Sequence, residues 1–503
     1  MNGSMRTYTT TGRFVFITLV LILFAAGIAV RLYDLSDLPL DFHPTRQLLS
    51  ELKARGMYFK DHPELPDWQR RMAIQQWQTK AEVEPEVFER LVAYTYRFTG
   101  VETWVARVYS SLFWLCAAAF LFLLVREQLS GIAALASLGY FLFLPYAVIA
   151  SRSFQPDVLM VMLVVMFWWM FARWLRTESW GWTIVAGIVG GLAIYVKFVA
   201  AFLVLGAALG AGLAAFGSML SRKRQVWVMA LLGVLPAALY LYYGVVRHDF
   251  LGRQFAGRFI PALLLSPLNY MQWTDMANQA VGALAIAAGL LGLMAARQKS
   301  NRWMLGALWL AYLVYGLFFD YHVATHDYYH LPLIAIVALS IAPLAEFAWE
   351  QVEARASNAL GQWATVALFA YAALSGAWVA RSQLAAVDYR PQAAMWTEIG
   401  DVLAHGPNVV ALTQDYGSRL AYWGWQNAII WPSTGDADYR QARGGSIDFE
   451  ELFAKLTLGN KYFLVTDFDE LARQPALKDR LSAYAVFASG EGYVIYDLEA
   501  PQS

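Results

Sequence analysis

The chain has 503 residues, 58% of them hydrophobic and only 15% charged, with a mean hydropathy of +0.42. Soluble domains carry about 25% charged residues, so this composition excludes a purely soluble protein and points to a polytopic membrane protein with at least one extramembrane region. The 38 Lys and Arg residues balance 38 Asp and Glu, which gives no argument for a nucleic-acid partner, and the single cysteine, Cys116, excludes an intrachain disulfide.

A helix needs about 20 apolar residues to cross the hydrocarbon. On that measure the chain predicts about eleven spans, at 14–30, 104–125, 132–150, 157–175, 180–196, 198–217, 226–246, 278–296, 303–319, 331–348 and 363–380. The first follows Arg6 and Arg13, is long enough to span and shows no small-residue cleavage site, so it reads as a retained helix rather than a secretory signal. The stretch from Trp180 to Gly217 is interrupted only by Lys197. Arg173 and Arg176 precede it and Arg222-Lys223-Arg224 follow it. Short Lys/Arg-rich loops stay in the cytoplasm, so both ends are inside and the chain crosses twice, with Lys197 at the outer turn. The same rule, applied to Arg6/Arg13 and to Arg297/Lys299/Arg302, puts the N-terminus in the cytoplasm and residues 382–503 outside.

The expected organisation is a transmembrane domain at 1–381, with a long outer loop at 31–103, followed by an extracytoplasmic α/β domain at 382–503. In the loop, Thr45–Arg55 and Pro85–Phe98 show apolar residues at helical spacing among charges and predict helices lying along the membrane surface. Arg247 to Asp275 predicts a second outer loop, with Arg247, Arg253 and Arg258 among apolar residues. Beyond the last span, strands are predicted at Val409–Leu412, Ala428–Trp431, Tyr462–Thr466 and Tyr493–Tyr496, and helices at Phe449–Leu456 and Asp469–Arg473.

The polar residues at the outer ends of the spans are the candidate site. Asp41 lies just past the first span between Pro39 and Pro44, whose rigid backbones would hold a carboxylate over the surface; a turn aspartate in a solvated loop is the plain alternative. His43, two residues on, suits a metal ligand, a proton relay or an interfacial side chain, and Arg46 follows in the same segment. Asp157 after Pro156 fits an ordinary helix N-terminus, and Arg152 fits either a pairing with Asp157 or a contact to a ligand phosphate. Lys197 is the lone charge of its apolar stretch; such charges are costly and commonly functional, with snorkelling to the headgroups as the alternative. The run His326-Asp327-Tyr328-Tyr329-His330 enters the tenth span. Interfacial tyrosines are expected as an aromatic belt, whereas two histidines around an aspartate suit a phosphate or a cation. Asp41, His43, His326 and Asp327 are the candidate ligands of a possible divalent cation. No nucleotide-binding loop or Rossmann fingerprint stands out, and the cytoplasmic loops are too short for a nucleotide-sugar domain.

This layout resembles the GT-C superfamily of integral-membrane glycosyltransferases, in particular the protein O-mannosyltransferase and aminoarabinose-transferase branch. The likeness in organisation covers about 30–345. It is carried by Asp41 at the catalytic-loop position, Arg152 and Asp157 at the entrance to span four, Lys197 between spans five and six, and His326-Asp327-Tyr328-Tyr329 before Leu331-Pro332. Many relatives have an Asp-Glu pair where this chain has Asp41-Phe42. The resemblance implies a multi-pass enzyme of the plasma (inner) membrane that uses a polyprenyl-phosphate sugar as donor and a protein, lipid or glycan as acceptor, with no nucleic acid. It implies Asp41 as base, Lys197, Arg152, His326, Asp327, Tyr328 and Tyr329 at the donor phosphate and sugar, Asp157 on a sugar hydroxyl or orienting Arg152, and His43, Arg46 and His330 in support. The C-terminal segment carries no acceptor-specific signature. A lipid or solute transporter is the alternative; it predicts ionisable residues near the midplane and repeated halves, whereas here they cluster at span ends.

Overall fold

The computed structural model of the chain describes residues 10–80, 84–255, 259–355, 359–446 and 448–501. Arg6 and Arg258 lie outside the described residues, as does the side chain of Arg253. The chain forms two compact units. The first comprises Met1–Leu35, Glu82–Phe88 and Ala106–Ala386, and the second Ser36–Ala81, Glu89–Val105 and Val387–Ser503. Most of the outer loop, assigned in sequence to the transmembrane domain, thus groups with the C-terminal segment.

The first unit is helical. Among the described residues seven helices are long and apolar enough to cross a membrane, and up to eight if the bent pair Pro267–Val281 and Ala283–Ala295 is one span. This is a multi-pass membrane protein. Its helix Ala359–Leu384 exposes Leu360, Trp363, Leu368, Tyr371, Leu374 and Trp378, a surface that hydrocarbon rather than water would cover.

Local chemistry revises several predicted spans. The stretch 132–150 is broken into helices Gly131–Phe143 and Pro145–Ala150. Pro145 donates no backbone hydrogen bond and drives Leu144 out of the helical region, to φ −58°, ψ 121°. The stretch 278–296 belongs to a helix that already starts at Pro267 and takes in Asp275, assigned in sequence to the outer loop; the pair bends by 90° at Gly282, where φ is +90°. The stretch 303–319 falls on helix Lys299–Phe318. Trp180 to Gly217 does divide in two, into helices Trp180–Val196 and Ala200–Phe216.

Small residues set the helix spacing, as packing in lipid demands. A Cβ at Gly191 would collide with the Leu232 carbonyl oxygen of helix Arg224–Leu241, and one at Gly210 would sit 2.5 Å from the Trp303 carbonyl oxygen of helix Lys299–Phe318.

The second unit is built on a five-stranded sheet: β1 Val409–Leu412, β2 Ile429–Ile430, β3 Tyr462–Val465, β4 Tyr484–Gly490 and β5 Tyr493–Pro501, in the order β2-β1-β3-β5-β4. β1 pairs in parallel with β2 and β3, while β5 is antiparallel to β3 and β4. Strand alternation builds two cores. Val409, Ala411, Leu464 and Ile495 face Trp396, Ile399 and Leu420, and Val410, Leu412, Phe463 and Val465 face Trp431, Phe453 and Leu477.

The loop helix Pro44–Lys60 completes this unit. Eleven of its residues are buried, from Gln47 to Phe59, so it is an interior element and not the surface-lying helix its pattern predicts. Leu48 and Leu52 pack with Leu40, Ala421 and Tyr422. Arg55 donates to the Tyr422 and Ala421 carbonyl oxygens (2.5 and 2.9 Å) and to Gln76 (2.7 Å), and its guanidinium lies 3.8 Å from the centre of the Trp425 ring. Burial lowers the Arg55 pKa to about 10, so it remains a cation at neutral pH.

Candidate functional site

Helix Pro156–Thr177 begins as its sequence dictates. Gln155 is extended, Pro156 supplies the fixed φ of the first position, and Asp157 sits in the first turn, where the helix dipole favours a negative charge. Lys197 ends helix Trp180–Val196 with its backbone extended (φ −155°, ψ 121°). Its ammonium donates to both Asp157 oxygens, at 2.7 and 2.8 Å. The Lys197 and Asp157 side chains are 7% and 3% exposed, so this is a buried ion pair and not a snorkelling lysine. Glu84 Oε1 lies 3.7 Å from the same ammonium.

Two aromatic rings cover the pair. The 3-10 turn Asp327–His330 sets Tyr328 and Tyr329 with their ring centres 5.5 and 5.3 Å from Lys197 Nζ, within cation–π range. The Tyr315 hydroxyl donates to the Tyr329 carbonyl oxygen at 3.1 Å and fixes the turn. Asp327 interacts with the Tyr146 hydroxyl. His326 Nδ1 is 2.8 Å from the Thr325 hydroxyl, and its ring stacks on His322 at 5.8 Å.

Three sequence assignments change at this level. The partner that Asp157 is seen to hold is Lys197 and not the Arg152 its position in sequence suggests. Arg152, 1% exposed, donates instead to the Asp34 carbonyl oxygen at 2.9 Å. It lies close enough to Arg31 for the two cations to repel, and Arg31 is itself held by Ser151 Oγ and by the Gly27 and Leu142 carbonyl oxygens. His330 is fully buried, with the Tyr312 hydroxyl 2.7 Å from Nδ1 and the Val323 carbonyl oxygen 2.9 Å from Nε2. Both ring nitrogens are used inside the protein, and His330 is a packing tie rather than a ligand group.

Asp41, His43 and Arg46 belong to the second unit. Gln47 Nε2 reaches Asp41 Oδ1 at 3.4 Å and bonds the Phe42 and Pro39 carbonyl oxygens at 2.6 and 3.3 Å, so one amide pins the turn that carries the carboxylate. His43 has φ +43° and sets its ring edge-on to Phe42 at 4.6 Å. The Tyr389 phenol is pushed up by burial and by the negative charges of Asp41 and Asp37. Thr45 donates to Asp415 at 3.0 Å, and Arg419 clamps Asp415 from the other side.

Sequence reasoning missed Glu84, Arg31 and Tyr146. Glu84 stands in an acidic, proline-containing run that looks solvated, Arg31 looks like a flanking charge of span one, and Tyr146 lies inside a predicted span. As for a cation, no three His, Cys, Asp or Glu side chains converge on a metal-sized site among the described residues. Asp41 and His43 sit in one unit and His326 and Asp327 in the other, so neither pair makes up a ligand set within its own unit.

Residues 83–243 match the sequence profile of the dolichyl-phosphate-mannose-protein mannosyltransferase family. No curated protein matches the chain in sequence. In structure it is similar to ArnT from Cupriavidus metallidurans bound to undecaprenyl phosphate, with a TM-score of 0.61 and 16% identity over 97% of this chain and 98% of that one. It is also similar to the Archaeoglobus fulgidus oligosaccharyltransferase in complex with Zn and sulfate (TM-score 0.54, 14% identity, 95% of this chain and 73% of that one). The same oligosaccharyltransferase tethered with an acceptor peptide containing the NVT sequon matches with a TM-score of 0.54 and 13% identity, over 97% and 74% of the two chains. The likeness is one of fold, and it runs through the C-terminal segment as well as 30–345.

Proposed function

We propose that the chain is a membrane glycosyltransferase that moves a sugar from a polyprenyl-phosphate donor to an acceptor hydroxyl at the outer face of the plasma (inner) membrane, with inversion and with Asp41 as base. The observation that carries this reading is the buried Asp157–Lys197 pair beneath Tyr328 and Tyr329, at the end of an apolar span. A charge removed from water is costly unless it is well paired, and ionisable residues held in membrane spans commonly mark functional sites. Two of the three lysine donors go to Asp157, and the third, with Glu84 Oε1 still 3.7 Å away, is the one a ligand oxygen would compete for. The mannosyltransferase-family match and a fold shared with a protein bound to undecaprenyl phosphate point the same way.

The chemistry asks for little more. The anomeric C–O bond to phosphate breaks, a new C–O bond forms to the acceptor hydroxyl, and the hydroxyl proton passes to a carboxylate. Phosphate leaves without a general acid, so the groups needed are a base and a set of donors and cations for the departing charge. Asp41 takes the proton. Lys197 and Arg152, with His326, Tyr329 and the Tyr328 and Asp327 turn, receive the phosphate and sugar, and Asp157 holds Lys197 in place. One base opposite the leaving group makes the displacement in-line. The acceptor is a protein, lipid or glycan hydroxyl.

The test is release of polyprenyl phosphate from a radiolabelled polyprenyl-phosphate sugar by the full-length protein in nanodiscs. Asp41→Asn should lower turnover by about 10²–10⁴-fold with unchanged thermal unfolding. Full activity in that variant removes Asp41 from the mechanism. Movement of intact donor across the bilayer without release replaces the transferase by a carrier.

A further inference from the structure

The second unit contains a cleft that the transfer chemistry leaves unused. One wall is Trp68, Arg71, Met72 and Gln75, which the spacing of helix Asp67–Gln78 brings to a single face. The other wall is Ala404 and His405, and the cleft is an open one of about 690 Å³. Trp68 stays 42% exposed although its ring stacks on His405 (4.8 Å, 23°) and meets Trp425 edge-on at 5.9 Å. His405 is held in that position: Nδ1 is 3.1 Å from the Gly424 carbonyl oxygen, and Ala404 and His405 both have left-handed backbones, with φ of 50° and 53°. An indole anchored from behind and still partly open is a platform for a ligand face.

Each charged side chain of the walls faces a counter-charge, although Asp67 is shared with Arg70 at 3.8 Å. Arg71 is paired with Asp67, and His405 Nε2 lies 3.6 Å from Asp401. The cations facing the cleft, Arg71 and His405, each lie beside a carboxylate that weakens their pull on an anion, whereas a neutral, hydroxyl-rich molecule finds what it needs. A pyranose ring has an apolar C–H face that suits the electron-rich indole, and its hydroxyls suit the donors and acceptors of Gln75, Arg71 and His405. We propose that this cleft binds a short neutral oligosaccharide. As the place where an acceptor glycan rests, it depends on the transferase reading; as a glycan-binding cleft it does not.

The test uses full-length protein in nanodiscs with no lipid donor, titrated with fluorescently labelled neutral trisaccharides of glucose, mannose and galactose. At least one should bind saturably, about tenfold more weakly after Trp68→Ala and about threefold more weakly after Gln75→Ala. Gln75 is exposed, so its variant keeps the comparison valid if loss of the Trp68 packing unsettles the unit. Absence of saturable binding by all three sugars overturns the proposal, as does equal binding by the wild type and Gln75→Ala. Displacement of the sugar by equimolar glycerol phosphate assigns the cleft to a lipid headgroup and overturns it too. Binding without donor turnover leaves the cleft standing and sinks the transferase; turnover without binding does the reverse.

Discussion

A lysine 6% exposed beside an aspartate 2% exposed has left most of its hydration behind. Mutual attraction offsets that loss only while both partners are present. Asp157→Asn should therefore destabilise the protein by about 3–5 kcal/mol, because the ammonium stays buried with only the more distant Glu84 as counter-charge. Lys197→Met combined with Asp157→Leu removes both charges and should recover most of that stability in a thermal-unfolding measurement. Transfer should remain lost in the double variant, since no apolar side chain stabilises a departing phosphate. A double variant that unfolds like wild type and still turns over donor reduces the pair to packing. The tyrosines make a finer distinction. Tyr329→Phe keeps a ring near the lysine and should cost little, whereas Tyr329→Leu forfeits an interaction of about 0.5–2 kcal/mol.

The helices and strands follow the physical signals that specify them, and they depart where those signals are absent. Hydrophobic runs announced the spans, and the isolated Lys197 with its flanking arginines correctly divided Trp180–Gly217 into two helices. Pro145 was visible in the sequence, but run length outweighed it. Short continuous apolar runs marked β1 and β3. β4 went unmarked because it is an edge strand with Val486 and Phe487 exposed, and it shows no alternation. Helix Asp67–Gln78 was missed because its sequence, DWQRRMAIQQWQ, lacks a continuous apolar stripe. Asp157, Lys197 and the Tyr328-Tyr329 turn were legible as candidates, while their mutual contact and the contribution of Glu84 depend on a tertiary arrangement no local pattern encodes. Two element-scale predictions follow from packing. Arg55→Lys should destabilise the second unit nearly as much as Arg55→Met, by about 2–3 kcal/mol in thermal unfolding, because an ammonium cannot reproduce the planar fork shared among Tyr422, Ala421 and Gln76. Gly191→Leu should push helices Trp180–Val196 and Arg224–Leu241 apart at a cost of about 1–3 kcal/mol, read as a lower melting temperature in nanodiscs.

Across the molecule, the two ends of the helical unit differ in kind. Helix Pro156–Thr177 is about 33 Å long by its helical rise. Asp157 and Lys197 lie at one end, and Arg173 and Arg176 lie at the other, bonded to Glu127 at 2.7 and 3.0 Å. Lys223 pairs there with Glu178, and Gln225 donates to the Glu178 carbonyl oxygen. Basic short loops with carboxylate partners are what a cytoplasmic boundary carries, so the Asp157 end should face outward. Cysteine labelling checks this once Cys116 is replaced by alanine. Gln441→Cys, at an exposed position beyond the last span, should react with a membrane-impermeant maleimide in intact cells, and Ser221→Cys, beside Arg222-Lys223-Arg224, should react only after permeabilisation. The opposite pattern would place the buried lysine and its tyrosines on the cytoplasmic side. A lipid-phosphate donor presented from the outer leaflet would then have no route to them, and the proposed reaction would lose its compartment.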